Sequence, residues 1–267
     1  MKIDYHLHTE FSSDCTAPME DMIAGALRER VDSICITDHM DYGDPFEPYE
    51  SYTQADYINH FKDIDRCTIK YEGIIKIAKG MEIGYIQGYE QINADFVKEY
   101  DLDFVIGSNH NLGDIDYYMQ ENDPSDFTKI ETLYLERIIK MIDNVNYFSV
   151  VGHLNYPCKF HGFTKKLFTY DAFSDHLDYI FKKTIEIGKG IEVNTSCLQT
   201  EGAFEAFLPI LKRYKELGGE IITIGSDSHN KFNVARSSSE AQAILLQAGF
   251  NYICDFKKLV PEFHAID

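Results

Sequence analysis

The sequence predicts an α/β fold in which seven β-strands alternate with α-helices and close into a barrel, its functional groups gathered at the carboxyl ends of the strands. Three observations predict it. Short apolar, β-branched runs recur between amphipathic helical stretches, as expected of parallel strands covered on both faces. Those runs end one after another in histidine or carboxylate residues. Candidate ligands come from six of the seven strands, whereas an open doubly wound sheet gathers its ligands at a crevice between a few.

The first strand lies within Lys2 to Leu7 and delivers His6 and His8. Two imidazoles one residue apart in an extended chain point to the same side and can grip one ion. A polar loop, Glu10 to Asp14, precedes a helix that Pro18 opens at its first position, with Met19, Met22, Ile23, Ala26 and Leu27 on one face. Ser33 to Thr37 is the second strand, ending in Asp38-His39. A long active-site loop follows over Asp41 to Ser51, marked by Gly43, Pro45 and Pro48, and then a helix carrying Tyr57, Ile58, Phe61, Ile64 and Tyr71. The third strand, Ile74 to Met81, ends at Glu82, and the fourth, from Phe104, ends at His110. After an acidic loop, Ile130, Leu133, Tyr134, Ile138, Met141 and Ile142 mark the next helix. Tyr147 to Gly152 is the fifth strand and ends at His153; its loop carries Lys159 and His161 before a helix with Phe173, Leu177, Ile180, Phe181 and Ile185. Gly190 to Thr195 is the sixth strand. Pro209 is expected to open the helix that stops at Gly218-Gly219. The seventh strand, Glu220 to Gly225, runs into Ser226-Asp227-Ser228-His229; a helix with Ala241, Ile244, Leu245 and Ala248 follows, and the tail after Pro261 reads as weakly ordered.

Composition narrows the function. A net charge of −19 over 267 residues repels nucleic acid and anionic lipid, so any phosphate must be captured locally. Six cysteines without a C-x-x-C pair read as reduced thiols, not thiolate metal sites. No apolar run approaches the roughly 18 residues of a membrane span, and the start of the chain lacks a signal-peptide core, so a cytoplasmic location is expected. Residues 1–267 read as a single barrel domain.

Six of the ten histidines (His6, His8, His39, His110, His153, His229) stand at strand ends beside Asp14, Glu82 and Asp227, giving nine nitrogen and oxygen donors. At four or five ligands per ion these require two or three metals, a clustering that suits in-line cleavage of phosphoesters. His60, His176 and His264 fall on helices or the tail and read as surface residues.

The ordered motifs His6-x-His8, Thr37-Asp38-His39, Gly80-x-Glu82, Ser108-Asn109-His110, Gly152-His153 and Gly225-Ser226-Asp227-x-His229 resemble the PHP (polymerase and histidinol phosphatase) family over nearly the whole chain. The resemblance implies a distorted (β/α)7 barrel holding three divalent transition-metal ions, zinc, manganese or iron. It implies that His6, His8, Glu82 and Asp227 hold the first, that Glu82 bridges to a second on His110 and His153, and that Asp14, His39 and His229 hold the third. The chain is most similar to the histidinol-phosphate phosphatase branch through Glu192-Val193-Asn194-Thr195-Ser196, which implies hydrolysis of L-histidinol phosphate, a small phosphorylated amino alcohol. Cys197 and Gln199 stand where that branch has Gly and Arg, and Lys159 stands where it has Arg.

The expected chemistry is attack on phosphorus by a hydroxide shared between two ions. Lys159, Arg236 and Asn194 are the candidate substrate-binding groups, and Asp227 or His229 the candidates for passing a proton to the leaving alkoxide. Another small phosphomonoester or a nucleotide is the alternative substrate. A non-catalytic PHP module would lack ligands, and none of the nine is missing. Nothing in the chain addresses its oligomeric state.

Overall fold

The structure, a computed structural model, describes residues 1–46, 52–112 and 120–266. Parallel strands are formed by β1 (Ile3–Leu7), β2 (Ser33–Ile36), β4 (Lys76–Gly84), β5 (Phe104–Ser108), β6 (Val150–Val151), β7 (Gly190–Asn194) and β8 (Ile222–Gly225), neighbours in that order. A short β3 (His39–Met40) continues the second strand's path and pairs with β4 at His39 opposite Glu82. The first and last strands meet where the His8 amide donates to the Ser228 carbonyl (3.0 Å) and the Asp227 amide to the His6 carbonyl (2.8 Å). The seven strands therefore form a nearly closed parallel barrel, as expected.

The strands are buried along their length because both faces are covered, the inner by the barrel's own side chains and the outer by helices. The helices are α1 (Met19–Arg28), α2 (Gln54–Lys70), α3 (Glu90–Glu99), α4 (Phe127–Asn144), α5 (Tyr170–Glu186), α6 (Ala203–Glu216) and α7 (Ser238–Ala248). Helix α2 starts on a reciprocal cap between Thr53 and Asp56, which satisfies amides that the helix itself leaves open. None of the helices among the described residues is long and apolar enough to cross a membrane.

Three expectations are corrected, and one further helix, α3, is added. Pro209 does not open α6 but lies inside it, exposed, while Ala203, Phe207, Ile210, Leu211 and Tyr214 keep one continuous buried face. The ring and the missing amide hydrogen bond are tolerated because they fall on the solvent side. The tail is ordered: β9 (Tyr252–Lys257) and β10 (Val260–Ala265) form an antiparallel hairpin, and β9 buries Ile253, Cys254 and Phe256, with Phe256 packed on Phe104. Its turn places Lys258 and Leu259 at φ 49° and 62°, a left-handed pair usually signalled by Asn or Gly. Helix α3 has only Asn93, Phe96 and Val97 buried, too sparse a stripe to be read from sequence. His60 is buried, not a surface residue, stacked on Phe11 (4.1 Å between centroids) with Nε2 3.4 Å from Asp38 Oδ2. Parts of the predicted Asp41–Ser51 loop and of the acidic loop after His110 lie outside the described residues.

Candidate metal centre

Glu82 lies within β4, not just beyond it, and its carboxylate is the hub of the barrel's upper face. Its Oε2 lies 3.0 Å from His6 Nε2, 3.2 Å from His39 Nδ1 and 3.5 Å from His8 Nε2. Its Oε1 faces His153 Nε2 (2.8 Å) and His110 Nε2 (3.1 Å), and accepts from Ser108 Oγ (2.6 Å). Five of the six strand-end histidines thus surround one buried carboxylate. The sixth, His229, has its Nε2 2.9 Å from Asp14 Oδ2, which also lies 3.7 Å from His39 Nε2. Asp227 Oδ1 completes the group, 3.4 Å from His8 Nε2 and 3.8 Å from His6 Nε2, on a left-handed backbone (φ 52°). All nine predicted ligands therefore converge.

A further layer of residues aims these rings. Glu192 Oε1 accepts a hydrogen bond from His6 Nδ1 (2.6 Å), and Asp41 Oδ2 one from His110 Nδ1 (2.7 Å). Tyr134 Oη is 3.0 Å from both His153 Nδ1 and the His153 carbonyl, so it can accept from the ring while donating to the backbone. Ser12 Oγ sits 3.0 Å from His8 Nδ1 and donates to Asp38 Oδ1 (2.7 Å). Such partners orient a ligating imidazole and fix its tautomer. Two glycines, Gly225 of the last motif and Gly84 at the end of β4, leave room for them: a Cβ at Gly225 would stand 2.2 Å from Glu192 Oε1, and one at Gly84 would stand 2.0 Å from Asp41 Oδ1. Sequence reading missed the roles of Glu192, Asp41, Tyr134 and Ser12, because only the fold brings them to their rings.

The tautomers test whether cations fit. With Nδ1 of His6 and His110 donating to carboxylates, both Nε2 lone pairs point at Glu82 oxygens, lone pair against lone pair. Positive charge is needed there: burial opposes it, but Glu82 with Glu192 at His6, and Asp41 with Glu82 at His110, raise both pKa values well above the ordinary value, and a metal ion at each Nε2 would supply the same charge. His8 Nε2 is buried with no hydrogen-bond partner among the described residues, and burial together with His229 and His39 pushes its pKa down to about 3, leaving a neutral donor. Burial would raise the Glu82 pKa, but His6, His110 and His39 outweigh it and hold Glu82 ionised. The groups His6–His8–Asp227, Glu82–His110–His153 and His8–His39–His229 each bring their donor atoms within 4.8 Å of one another.

Except for His6 and His8, these residues line a cavity of about 460 Å³ together with Lys159, Tyr156, Ser196, Asp44, Phe46 and Asn111. Lys159 Nζ lies 2.5 Å from Asp227 Oδ2; burial opposes its charge, but Asp227 raises its pKa above the usual lysine value. Asn194 is buried behind the cavity wall, its amide donating to Asp227 Oδ2 (3.2 Å) and Glu192 Oε2 (3.2 Å). Arg236 is exposed and stands apart from the cavity lining. Gln199 donates to the Thr195 carbonyl (2.7 Å) and likewise does not line the cavity.

The PHP domain model matches residues 4–196, well over half of the chain. The chain belongs to the PHP domain family. A histidinol-phosphatase of Lactococcus lactis subsp. lactis is 27% identical over 261 residues, spanning 96% of this PHP chain and 94% of its own. A Clostridium acetobutylicum protein named "Probable histidinol-phosphatase" is 30% identical over 242 residues, 90% of this chain and 91% of that one. The crystal structure of histidinol phosphate phosphatase from L. lactis, complexed with zinc, L-histidinol and phosphate, matches at a TM-score of 0.89 and 25% identity over 98% of each chain. Zinc in that PHP neighbour and the clustered donors here together mark a divalent-metal site.

Proposed function

We propose that this chain is a metal-dependent phosphomonoesterase that hydrolyses L-histidinol phosphate to L-histidinol and phosphate. The observation that carries the reading is the full-length likeness to the L. lactis enzyme bound to zinc, L-histidinol and phosphate, joined to a complete donor set here. Three ions are assigned: one to His6, His8, Glu82 and Asp227, one to Glu82, His110 and His153, one to Asp14, His39 and His229. Bound there, divalent ions supply Lewis acidity, which lowers the pKa of water and offsets charge on phosphoryl oxygens.

The chain's own residues supply the rest. Lys159, held against Asp227 at the cavity wall, presents a cation to the phosphoryl oxygens as a point charge, without the two-pronged geometry of arginine. Asn194 acts on substrate through Asp227, whose carboxylate its amide steadies. Arg236, exposed outside the lining, is a weaker candidate for holding phosphate. Asp227 and His229, both in the cavity wall, are proposed to pass a proton to the leaving oxygen. Residues 1–267 act as one barrel unit, since β7 carries Glu192 and the turn directly after β8 carries Asp227 and His229. Six free, buried cysteines support a reducing, cytoplasmic compartment.

A second reading, another small phosphomonoester, is favoured by Gln199, which turns to the Thr195 carbonyl where an arginine clamp would reach phosphate. Incubation of the metal-loaded protein with L-histidinol phosphate separates the two. The first reading requires equimolar L-histidinol and phosphate, abolished by a chelator; no release of L-histidinol would overturn it.

A further inference from the structure

The cavity holds one carboxylate with no work to do at the metals. Asp14, Glu82 and Asp227 face histidines there, and Asp41 is taken up by His110 Nδ1 (2.7 Å) and the Gly84 amide (2.7 Å). Asp44 also lines the cavity and is only 6% exposed. Its Oδ1 accepts from the Phe46 amide (2.9 Å) and its Oδ2 from Asn111 Nδ2 (2.6 Å). The Asn111 amide is itself fixed, since its Oδ1 accepts from Arg137 (3.3 Å), which turns the amino group toward Asp44. Among the described residues no lysine, arginine or histidine forms a direct ion pair with Asp44, although His110 and Arg137 act on its charge from a distance. The segments 47–51 and 113–119 cannot supply one, because neither contains Lys, Arg or His. A buried carboxylate aimed by two donors and lacking a direct ion-pair partner is suited to receive a positive group.

We propose that Asp44 is the residue that selects phosphomonoesters bearing a protonated amine, by receiving the substrate's ammonium group. This rests on the proposed function and deepens it. Lys159 lies in the same cavity lining and Asp44 belongs to the segment after β3, so a phosphate and an ammonium group on one small molecule meet charges of opposite sign. Phe46 and Tyr156, also in the lining, offer aromatic faces for the remainder of such a molecule. Burial pushes the Asp44 pKa upward while its two hydrogen bonds pull it down; an arriving ammonium would add the missing stabilisation of the carboxylate. The neutral amide of Asp44→Asn keeps the shape and removes the charge.

The test compares kcat/KM for L-histidinol phosphate with that for its des-amino analogue, an imidazolylpropyl phosphate, in metal-loaded protein. Taken as a ratio within one preparation, the readout cancels any loss of folded enzyme. Asp44→Asn should lower the ratio about 30-fold or more, the scale of a desolvated charged contact, and raise KM far more than it lowers kcat. Asn111→Leu, which keeps the carboxylate but removes the amide that aims it, should lower the same ratio severalfold. A ratio unchanged in both variants overturns the assignment of Asp44. If the wild-type protein does not hydrolyse L-histidinol phosphate at all, the substrate reading itself has failed, and the two failures are distinguishable.

Discussion

Glu192 carries no expected ligand role, yet its replacement should weaken metal binding. Its Oε1 accepts from His6 Nδ1 (2.6 Å), and its Oε2 accepts from the His153 amide (2.9 Å) and from Asn194 (3.2 Å). One buried carboxylate thus accepts from the ring of a proposed ligand on β1, from the backbone at a second proposed ligand after β6, and from the amide that steadies Asp227. Glu192→Gln keeps the volume but has only one accepting oxygen, so either the His6 ring or the His153 amide must face an NH2 group. A buried donor without an acceptor costs about 1–3 kcal/mol. Loss of a carboxylate partner behind a ligating histidine typically lowers metal affinity about 10- to 100-fold, or about 1.4–2.7 kcal/mol. Competition with a chelator of known zinc affinity, read by residual bound metal, measures this directly. Glu192→Gln should release metal at 10- to 100-fold lower chelator activity, with His6 the site affected. Unchanged affinity, with the variant folded by circular dichroism, would refute the idea that Glu192 orients His6.

Other outcomes follow from the same geometry. Lys159→Met should lower kcat/KM by about 2–4 kcal/mol with metal content intact; loss of metal would move Lys159 from substrate contact to site assembly. Asp14→Ala or His229→Ala should remove one ion per chain selectively by elemental analysis, while His176→Ala, on α5, leaves the metal content unchanged. Glu131 on α4 is wholly buried, and neither of its carboxyl oxygens has a hydrogen-bond partner among the described residues, so burial raises its pKa well above the ordinary value. The folded state therefore holds this proton more tightly than the unfolded chain, and stability contributed by the neutral form is lost as pH rises above the unfolded pKa of about 4.3. Glu131→Leu should raise the melting temperature, and by more at pH 8 than at pH 5; a difference that shrinks with rising pH contradicts the assignment.

The expected ligands were legible because most of them sit at a strand end, where a short apolar run stops at a polar residue, and because six of the seven strands repeat that grammar. Their orienting partners were not. His6 and Glu192 are 186 positions apart, and His110 and Asp41 are 69 apart, so no local spacing connects them; only barrel closure does. Gly225 was visible as a motif position and Gly84 was not, but the purpose of both, making room for Glu192 and Asp41, needs coordinates. His60 illustrates the opposite error: a polar residue on a helix reads as surface, yet the Phe11 ring covers it and Asp38 lies beside it. Pro209 and the Lys258-Leu259 turn show local rules overridden by packing, the first because its ring points to solvent, the second because the buried strand β9 holds the hairpin against the barrel. The Arg236 expectation rested on chain position after the last strand, and chain position does not give direction.

The most direct test is kcat/KM for the zinc- or manganese-loaded protein across L-histidinol phosphate, nucleoside monophosphates, a 3′,5′-bisphosphonucleotide, sugar phosphates and a short oligonucleotide. L-histidinol phosphate should lead by at least about tenfold, equivalent to about 1.4 kcal/mol of transition-state preference. A nucleotide or sugar phosphate in first place would leave the barrel and its ligand set standing and contradict the substrate.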